Sequence, residues 1–231
     1  MIHQFIFASP RPGLTEAEFQ RYWLEVHAVR YASKIKQIKK YKIDTRINGH
    51  GEAEKEPRFS GIAEIWIKDE KDQIESLQSP EFLEGARGDE PRWAAIWKTF
   101  VLDTDEHALG ELRPQTERAV KLVTLYRRKE GLSVDGYRKY VNSAYADRTL
   151  AIPGLLQAQF NTTRDSWYEF GEPRFDMIGE LWFDSVEALA DAMQTPAWQA
   201  RVADHSNFVA EKHQFSMIVR EHWIIGPEMR P

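Results

Sequence analysis

The sequence predicts an α+β fold: two ferredoxin-like βαββαβ repeats whose antiparallel sheets pack into an intramolecular α+β barrel. An internal repeat is the first reason. Segments 56–66 and 172–182 both contain Glu-Pro-Arg-Phe followed by Ile-x-Glu-x-Trp, at an offset of 116 residues. The second reason is that strand-like and helix-like patterns follow in the same order in both halves. A period near half of the 231 residues indicates two copies of a compact unit rather than a solenoid.

The first repeat begins with a strand and a helix. Ile2 to Ala8 is a β-branched and aromatic run that ends at a proline-rich turn, which predicts a strand. Thr15 with Glu18 three residues later is a capping box and predicts the start of a helix that ends near Ser33. One face of this helix is predicted to carry Phe19, Tyr22, Trp23, Val26, His27 and Arg30.

The remaining elements of the first repeat complete the order. Residues 39–47 and 59–67 predict the second and third strands, with a polar loop that starts at Asn48 between them. A second helix is predicted in two pieces, at 69–78 and 80–97, and residues 99–103 predict the fourth strand.

The second repeat reproduces this order. Its predicted strands are 120–126, 155–163, 175–183 and 215–223, and its predicted helices are 133–151, 186–193 and 196–211. We therefore place the first repeat at 1–103, a polar linker at 104–118 and the second repeat at 119–231. Helices on one side of each sheet leave an apolar face bare, and two copies in one chain provide a way to bury it.

Composition excludes several classes of function. A net charge of −5 and a pI near 5.9 give no electrostatic reason to bind nucleic acid. The absence of cysteine excludes disulfides, a thiolate nucleophile and cysteine-ligated metal centres. Because the chain shows neither an apolar leader nor an 18-residue apolar stretch, we expect no membrane partner and a cytoplasmic location. Aromatic residues make up 12% of the chain, with eight tryptophans, which indicates either large apolar contacts or a pocket walled by rings.

The first helix also carries a family resemblance. Phe19, Tyr22-Trp23 and His27-Ala28 resemble the signature of EthD-like proteins in the dimeric α+β barrel superfamily. The resemblance implies a tandem, single-chain form of a barrel that relatives build as homodimers, and a homo-oligomer through other faces stays open. It also implies a small hydrophobic ligand. The superfamily includes cofactor-independent monooxygenases, polyketide cyclases, lactone isomerases, stress proteins and haem-binding branches, so the resemblance implies no single reaction.

His27 is the leading catalytic candidate. It shares a helix face with aromatic residues, and imidazole is the side chain that exchanges protons near neutral pH. The structural alternative is a core histidine with one hydrogen-bond partner. At offset 118 the second repeat has Tyr145 in place of His27, a phenol that donates a hydrogen bond but is a poor base at pH 7. Tyr145 is thus either part of a modified site or a residue that fills volume.

Glu64 and Trp66 are expected on one face of the third strand, as are their counterparts in the second repeat. A carboxylate on such a face needs a partner, because burying an unpaired charge costs several kcal/mol. One alternative is a structural ion pair with the repeated arginines Arg58 and Arg174. The other is that Glu64 orients His27 or is itself a base.

We therefore take His27, Tyr22 and Glu64 as catalytic candidates. The substrate-binding candidates are Trp23, Tyr41, Trp66, Asp89, Trp93 and Tyr145. No histidine spacing typical of a divalent metal site occurs, and no nucleotide-binding or serine-hydrolase motif is present. We expect no cofactor, with haem on an axial histidine such as His205 as the alternative.

Three classes of function fit the sequence. The first is a cofactor-independent enzyme that acts on a small hydrophobic, aromatic or polyketide-like molecule by proton transfer at His27, as a cyclase, dehydratase, decarboxylase, isomerase or cofactor-free monooxygenase. The second is a non-catalytic binding protein for a hydrophobic ligand or haem. The third is a structural or interaction module without a reaction.

Overall fold

The computed structural model describes residues 1–47, 57–111, 116–169 and 171–231. The predicted polar loop from Asn48 and the middle of the predicted linker, 112–115, lie outside the described residues. Eight strands are present among them: β1 Ile2–Ala8, β2 Ile38–Arg46, β3 Gly61–Ile67, β4 Phe100–Leu109, β5 Val120–Tyr126, β6 Gln157–Thr163, β7 Met177–Phe183 and β8 Phe215–Ile225. In hydrogen-bonded order they run β1-β3-β2-β8-β5-β7-β6-β4 and close an antiparallel barrel, which confirms the predicted fold class.

The helices of the two repeats match each other. In the first repeat they are α1 Glu16–Tyr22, α2 Ala28–Arg30, α3 Glu70–Gln78 and α4 Arg87–Asp89, with π-helical turns at Trp23–His27 and Glu81–Ala86. In the second they are α5 Val134–Tyr140, α6 Ala146–Leu150, α7 Val186–Met193, α8 Pro196–Ala203 and α9 His205–Phe208, with a π-helical turn at Val141–Tyr145. The capping box is formed as predicted: Thr15 accepts from the Glu18 backbone N–H, and the Glu18 carboxylate accepts from the Thr15 backbone N–H.

One compact unit comprises Met1–Arg46, residues 57–103 and Glu221–Pro231. Its strand β3 lies between β1 and β2, with Glu64 opposite Phe5 and Lys42. Ala63, Ile65 and Ile67 join the core beneath the helices. Since alternate residues of a strand point to opposite faces, Glu64 and Trp66 lie on the other face, as predicted.

The other unit comprises Thr104–Arg220 together with Ile47. Its strand β7 lies between β5 and β6, with Glu180 opposite Val123 and Gln159. The core between its sheet and helices includes the fully buried aromatic residues Tyr126, Tyr137, Tyr145, Phe160, Phe183 and Phe208.

Two boundaries differ from the prediction. Strand β4 continues to Leu109, so the first residues of the expected linker are strand. The helix expected at 80–97 breaks into a π turn, α4 and short 3₁₀ turns at Glu90–Arg92 and Ile96–Lys98. Pro91 explains the break, because a proline clashes with the preceding turn of an α-helix and lacks the N–H that would continue it.

A pair of glycines marks where the repeats pack differently. A Cβ on Gly61 would lie 2.8 Å from the carbonyl oxygen of Asp44 and 2.9 Å from Cζ3 of Trp23. A Cβ on Gly179, which corresponds to Ala63 at offset 116, would lie 3.0 Å from Cε2 of Tyr126. Gly61 is therefore closely approached by a helix residue, and Gly179, two positions further along the equivalent strand, by a residue of the first strand of its repeat.

The two approaching residues, Trp23 and Tyr126, have counterparts of different size in the other repeat. Trp23 on the first helix corresponds to Val141, and Tyr126 on the first strand of the second repeat corresponds to Ala8. All four residues are buried. In the first repeat the helix residue Trp23 is large and the strand residue Ala8 is small. In the second repeat the helix residue Val141 is small and the strand residue Tyr126 is large. The two pairs therefore fill similar volumes.

Candidate active site

The π-helical turn Trp23–His27 places His27 under the sheet. The backbone N–H of Ala28 donates to the carbonyl oxygen of Trp23, five residues earlier, which widens the helix by one residue. Phe19, Trp23 and His27 remain buried, but the turn advances the phase of the helix so that Ala28 is buried and Arg30 is exposed. The prediction that Arg30 shares the apolar face was wrong for this reason. Such turns are frequent at functional sites.

Asp89 is the residue that orients His27. Its Oδ2 lies 3.0 Å from Nδ1 of His27, and its Oδ1 accepts a 2.8 Å hydrogen bond from the hydroxyl of Tyr22. His27 and Asp89 are 6% and 2% exposed. The exposed Arg92 approaches Oδ1 at 3.7 Å and contributes little, because an exposed ion pair is screened by water. The three side chains form one hydrogen-bonded series, Tyr22 to Asp89 to His27.

The position of the ring proton on His27 follows from these contacts. Nε1 of Trp93 also lies within hydrogen-bond distance of His27 Nδ1, at 3.2 Å. Nδ1 cannot donate to Asp89 and accept from Trp93 at the same time. The bond to a carboxylate is charge-assisted and shorter, so Nδ1 carries the proton and donates to Asp89. Nε2 then carries the lone pair, and none of the described residues forms a hydrogen bond with it.

Burial and Asp89 act on the pKa of His27 in opposite directions. Burial disfavours the imidazolium form and lowers the pKa below its ordinary value, while the hydrogen bond and charge of Asp89 raise it. The effect of burial is the larger, so His27 is neutral at pH 7. Burial and the neighbouring carboxylate raise the pKa of Tyr22, which keeps its phenol protonated and able to donate.

Aromatic rings surround this group. The ring centroid of Trp93 lies 4.6 Å from that of His27 and 4.9 Å from that of Trp23. Trp23 and Tyr41 belong to the same buried core, and complete burial raises the pKa of Tyr41. Tyr31 lies 6.3 Å from His27, ring to ring. The structure therefore brings together His27 and these predicted site residues: Tyr22, Trp23, Tyr41, Asp89 and Trp93.

Glu64 and Trp66 lie elsewhere. Glu64 Oε2 is 2.8 Å from Nε2 of His3 and 3.2 Å from Nζ of Lys42, on the face of β3 opposite the helices. The ring of Trp66 stacks on His3 with centroids 4.0 Å apart. The expectation that Glu64 orients His27 was wrong, because β-strand alternation points its side chain away from the helices.

The basic partners of the strand carboxylates also differ from the prediction. Lys42 contacts Glu64, and Lys121 contacts Glu180 at 2.7 Å. Arg58 and Arg174, which the sequence suggested as partners, are exposed. A buried carboxylate needs a buried partner, and the lysines on neighbouring strands provide one.

The second repeat keeps part of the site and changes the rest. At offsets 118 and 115, Tyr22 and Asp89 become Tyr140 and Asp204, and the hydroxyl of Tyr140 again donates to the carboxylate, at 2.7 Å. Tyr145 stands in place of His27, on an equivalent π-helical turn. Its hydroxyl lies 2.8 Å from Nε2 of His205, so Tyr145 has a polar contact besides the volume it fills.

Sequence reasoning missed two members of this second group. The hydroxyl of Tyr126 lies 3.1 Å from that of Tyr145 and accepts a 2.9 Å hydrogen bond from Nη2 of Arg201. The signal that could have found them is the difference between the repeats, because Tyr126 and Arg201 replace the small residues Ala8 and Ala86. Burial and the nearby Arg201 charge lower the pKa of His205 to about 4.

Among the described residues, no helix is both long enough and apolar enough to cross a membrane. No curated protein matches the chain. Among solved structures, an anthrone oxidase-like protein is similar in fold, with 13% identity over 96% of this chain and 92% of that chain and a TM-score of 0.67. A candidate monooxygenase from Lactobacillus acidophilus NCFM has 12% identity, covers 99% of this chain and 97% of its own, and has a TM-score of 0.58.

A protein of the ethyl tert-butyl ether degradation D (EthD) family from Bacillus halodurans C-125 has a higher identity, 30%, over 45% of this chain and 99% of that chain, with a TM-score of 0.38. The family model of the EthD domain matches the chain twice, at residues 11–96 and 129–212. The two matches include His27 with Asp89 and Tyr145 with Asp204, and together they cover most of the chain. The chain therefore belongs to the EthD domain family and carries that domain in tandem.

Proposed function

We propose that this protein is an enzyme that moves a proton on a small apolar molecule, with Nε2 of His27 as the base. The observation that carries the proposal is the 3.0 Å contact between His27 Nδ1 and Asp89 Oδ2. A carboxylate on one ring nitrogen fixes the tautomer, directs the other nitrogen and stabilises the imidazolium that forms when the proton arrives.

The electrostatics of the site suit a base. Burial keeps His27 neutral at pH 7, because it lowers the pKa. When Nε2 takes a proton, the positive charge forms beside the buried Asp89 carboxylate, where the attraction is stronger than in water. Tyr22 holds the other oxygen of that carboxylate, so we assign Tyr22 and Asp89 as positioning residues and His27 as the catalytic residue.

The walls of the site favour an aromatic or polyketide-like substrate. Phe19, Trp23, Tyr31 and Trp93 supply ring surface around His27 and few polar groups. Such a molecule has acidic C–H or O–H groups whose proton loss begins isomerisation, cyclisation, dehydration or cofactor-free oxygenation. The names of the similar structures, an anthrone oxidase-like protein and a candidate monooxygenase, fit the same class of substrate and favour oxygenation of a carbon acid.

We propose that the reaction needs no resident cofactor. Haem was the alternative, with His205 as its axial ligand. The residues do not fit this role, because Nε2 of His205 is hydrogen-bonded to the hydroxyl of Tyr145 at 2.8 Å and the ring is buried.

The test is proton abstraction from a carbon acid. Anthrone carries an acidic methylene group, and its exchange with deuterium can be followed by proton NMR in D₂O buffer without any oxidation step. We expect the wild-type protein to accelerate this exchange and His27→Ala to lose about a hundredfold or more, the usual effect of losing a general base. Asp89→Asn should lose about tenfold or more, because the ring is no longer held in the right tautomer.

Tyr145→Phe is the matched control, since it changes the equivalent position of the second repeat and leaves the first intact. It should keep near-normal exchange, and thermal melts should show all variants folded. Equal rates in wild type and His27→Ala would show that His27 is a core residue. No acceleration by the wild type, with anthrone or with a smaller 1,3-diketone, would favour a non-catalytic binding protein.

A further inference from the structure

Arg201 of helix α8 is a buried cation. Its side chain is 2% exposed, and its five N–H groups have only two acceptors among the described residues. Nε donates to the hydroxyl of Thr149 at 3.2 Å, and Nη2 donates to the hydroxyl of Tyr126 at 2.9 Å. In the described part of the chain no carboxylate forms an ion pair with it.

Aromatic rings lie against the same guanidinium group. Its carbon lies 4.9 Å from the ring centroid of Tyr145 and 5.3 Å from that of Trp198. Cation–π contacts offset part of the cost of burial but leave the charge unbalanced. Since Trp198 is half-buried, this side of the guanidinium lies close to the surface. Nη1 and the second N–H of Nη2 have no acceptor among the described residues.

The hydrogen bonds around Arg201 have a fixed direction. Arginine can only donate, so the Tyr126 oxygen accepts from Arg201. With the proton of the neutral His205 on Nδ1, its Nε2 accepts from Tyr145 and Tyr126 donates to Tyr145. Both phenol protons are then used. An incoming molecule therefore meets only the free N–H groups of Arg201, which bind acceptors and prefer anions.

A buried charge without a partner costs several kcal/mol, and the free N–H groups add to that cost. A planar carboxylate balances the charge and accepts from the free N–H groups, because its two oxygens match the fork of a guanidinium. We propose that the second repeat contains an anion site at Arg201, which binds the carboxylate of a small aromatic molecule. The ring of that molecule lies against Trp198, the half-buried ring beside the guanidinium.

This site belongs to the second repeat alone. The position that corresponds to Arg201 at offset 115 is Ala86, and the position that corresponds to Tyr126 is Ala8. The first repeat therefore has no cation at this place. The proposal is independent of the base at His27, and either one holds if the other fails.

Benzoate is a suitable probe, with neutral benzamide as its control. Binding only to the folded protein raises the melting temperature, by roughly 5–10 °C at a hundredfold excess over the Kd for a chain of this size. We expect benzoate to produce such a rise in wild type and in His27→Ala, and benzamide to produce none. Isothermal titration calorimetry should give one site per chain.

Three variants locate the site. Arg201→Met should fold, because replacing a buried ion by an apolar group is often neutral or stabilising, and it should lose the benzoate shift. Arg201→Lys keeps the charge but not the fork, and we expect at least tenfold weaker binding. Arg118→Met removes an exposed arginine of the same unit and should keep the full shift.

Two results would overturn the proposal. One is a benzoate response that is absent in wild type or unchanged in Arg201→Met. The other is a tyrosinate absorption band in the unliganded protein near pH 7 that disappears in Tyr126→Phe. That band would show that an ionised phenol balances Arg201 and that no external anion is needed.

Discussion

At the scale of single residues, the same scaffold supports two different chemistries. The pair Tyr22–Asp89 recurs as Tyr140–Asp204, but the residue on the π-helical turn is a histidine in one repeat and a tyrosine in the other. A neutral imidazole beside a carboxylate accepts a proton at pH 7, whereas a buried phenol beside Arg201 does not release or accept one easily. Burial raises the pKa of Tyr145 well above its ordinary value, consistent with this difference.

The pKa of His205 predicts how stability depends on pH. Its pKa is about 4 in the folded protein, because of burial and then the Arg201 charge, and about 6.5 in the unfolded chain. The unfolded state therefore binds more protons between these values, and stability falls as the pH drops from about 6.5 to about 4. For one proton the slope is at most about 1.4 kcal/mol per pH unit.

Urea unfolding at a series of pH values measures this dependence. In His205→Gln the amide oxygen can still accept from Tyr145, but the group does not titrate, so the loss of stability in this window should shrink. His213→Gln is a control, since His213 is exposed. Identical pH profiles for His205→Gln and wild type would contradict the assignment.

At the scale of elements, close packing between a helix and a strand sets what each glycine tolerates. Gly61 of β3 faces the backbone of Asp44 and the ring of Trp23 at distances too short for a Cβ. Gly88 of α4 has open surroundings, with the nearest atom, the carbonyl oxygen of Leu83, 3.7 Å from a built Cβ. The two glycines therefore have different physical reasons to be there.

We expect Gly61→Ala and Gly88→Ala to have opposite effects. Gly61→Ala overpacks the core and should reduce the free energy of unfolding by about 1–3 kcal/mol. Gly88→Ala should raise it by up to about 1 kcal/mol, because alanine favours a helix and restricts the unfolded chain. Chemical denaturation of the two variants and wild type measures both. A neutral Gly61→Ala would contradict this, because it would show that the Asp44 backbone and the Trp23 ring make room for a Cβ without cost.

Some features of the helices and strands could be predicted from the sequence, and others could not. The Thr15–Glu18 capping box and the shared face of Glu64 and Trp66 follow from local spacing, and both are present. The π-helical turn leaves no spacing signal, so the burial of Ala28 in place of Arg30 was missed. Asp89 as the partner of His27 depends on a contact between residues 62 apart in sequence, which periodicity does not report.

At the scale of the whole molecule, the ends of the sequence repeats and of the compact units differ. The first unit includes Glu221–Pro231, which belong to the second repeat by sequence. Within that unit Glu221 pairs with Lys42, Trp223 stacks on Trp66 with centroids 5.7 Å apart, and Arg230 donates to the carbonyl oxygen of Ser33. Sequence similarity identifies the duplicated segments, whereas contacts identify the residues that belong to one compact unit.

The fragment 1–103 should therefore not fold alone. It lacks residues that cover Lys42 and Trp66, and it exposes an unpaired strand edge. We expect it to aggregate or to unfold without a cooperative transition, and co-expression with 104–231 to restore a soluble complex. Size-exclusion chromatography and thermal melts distinguish these outcomes. A monomeric 1–103 with a sharp transition would show that the sequence repeat is itself an independent domain.

The opposite order of large and small residues at Ala8 and Trp23 and at their counterparts Tyr126 and Val141 has a consequence for the history of the chain. Duplicated segments within one gene can overwrite each other by gene conversion, which makes them alike. In this chain, copying only the Tyr126 codon to position 8 would place a new tyrosine beside Trp23. Copying only the Val141 codon to position 23 would replace Trp23 by valine and leave a void. Both intermediates cost about 1–5 kcal/mol, a large part of the stability of a typical domain. Selection against those intermediates keeps the two halves from converging, so a lineage that acquired both arrangements retains an imidazole in one half and a phenol with an arginine in the other.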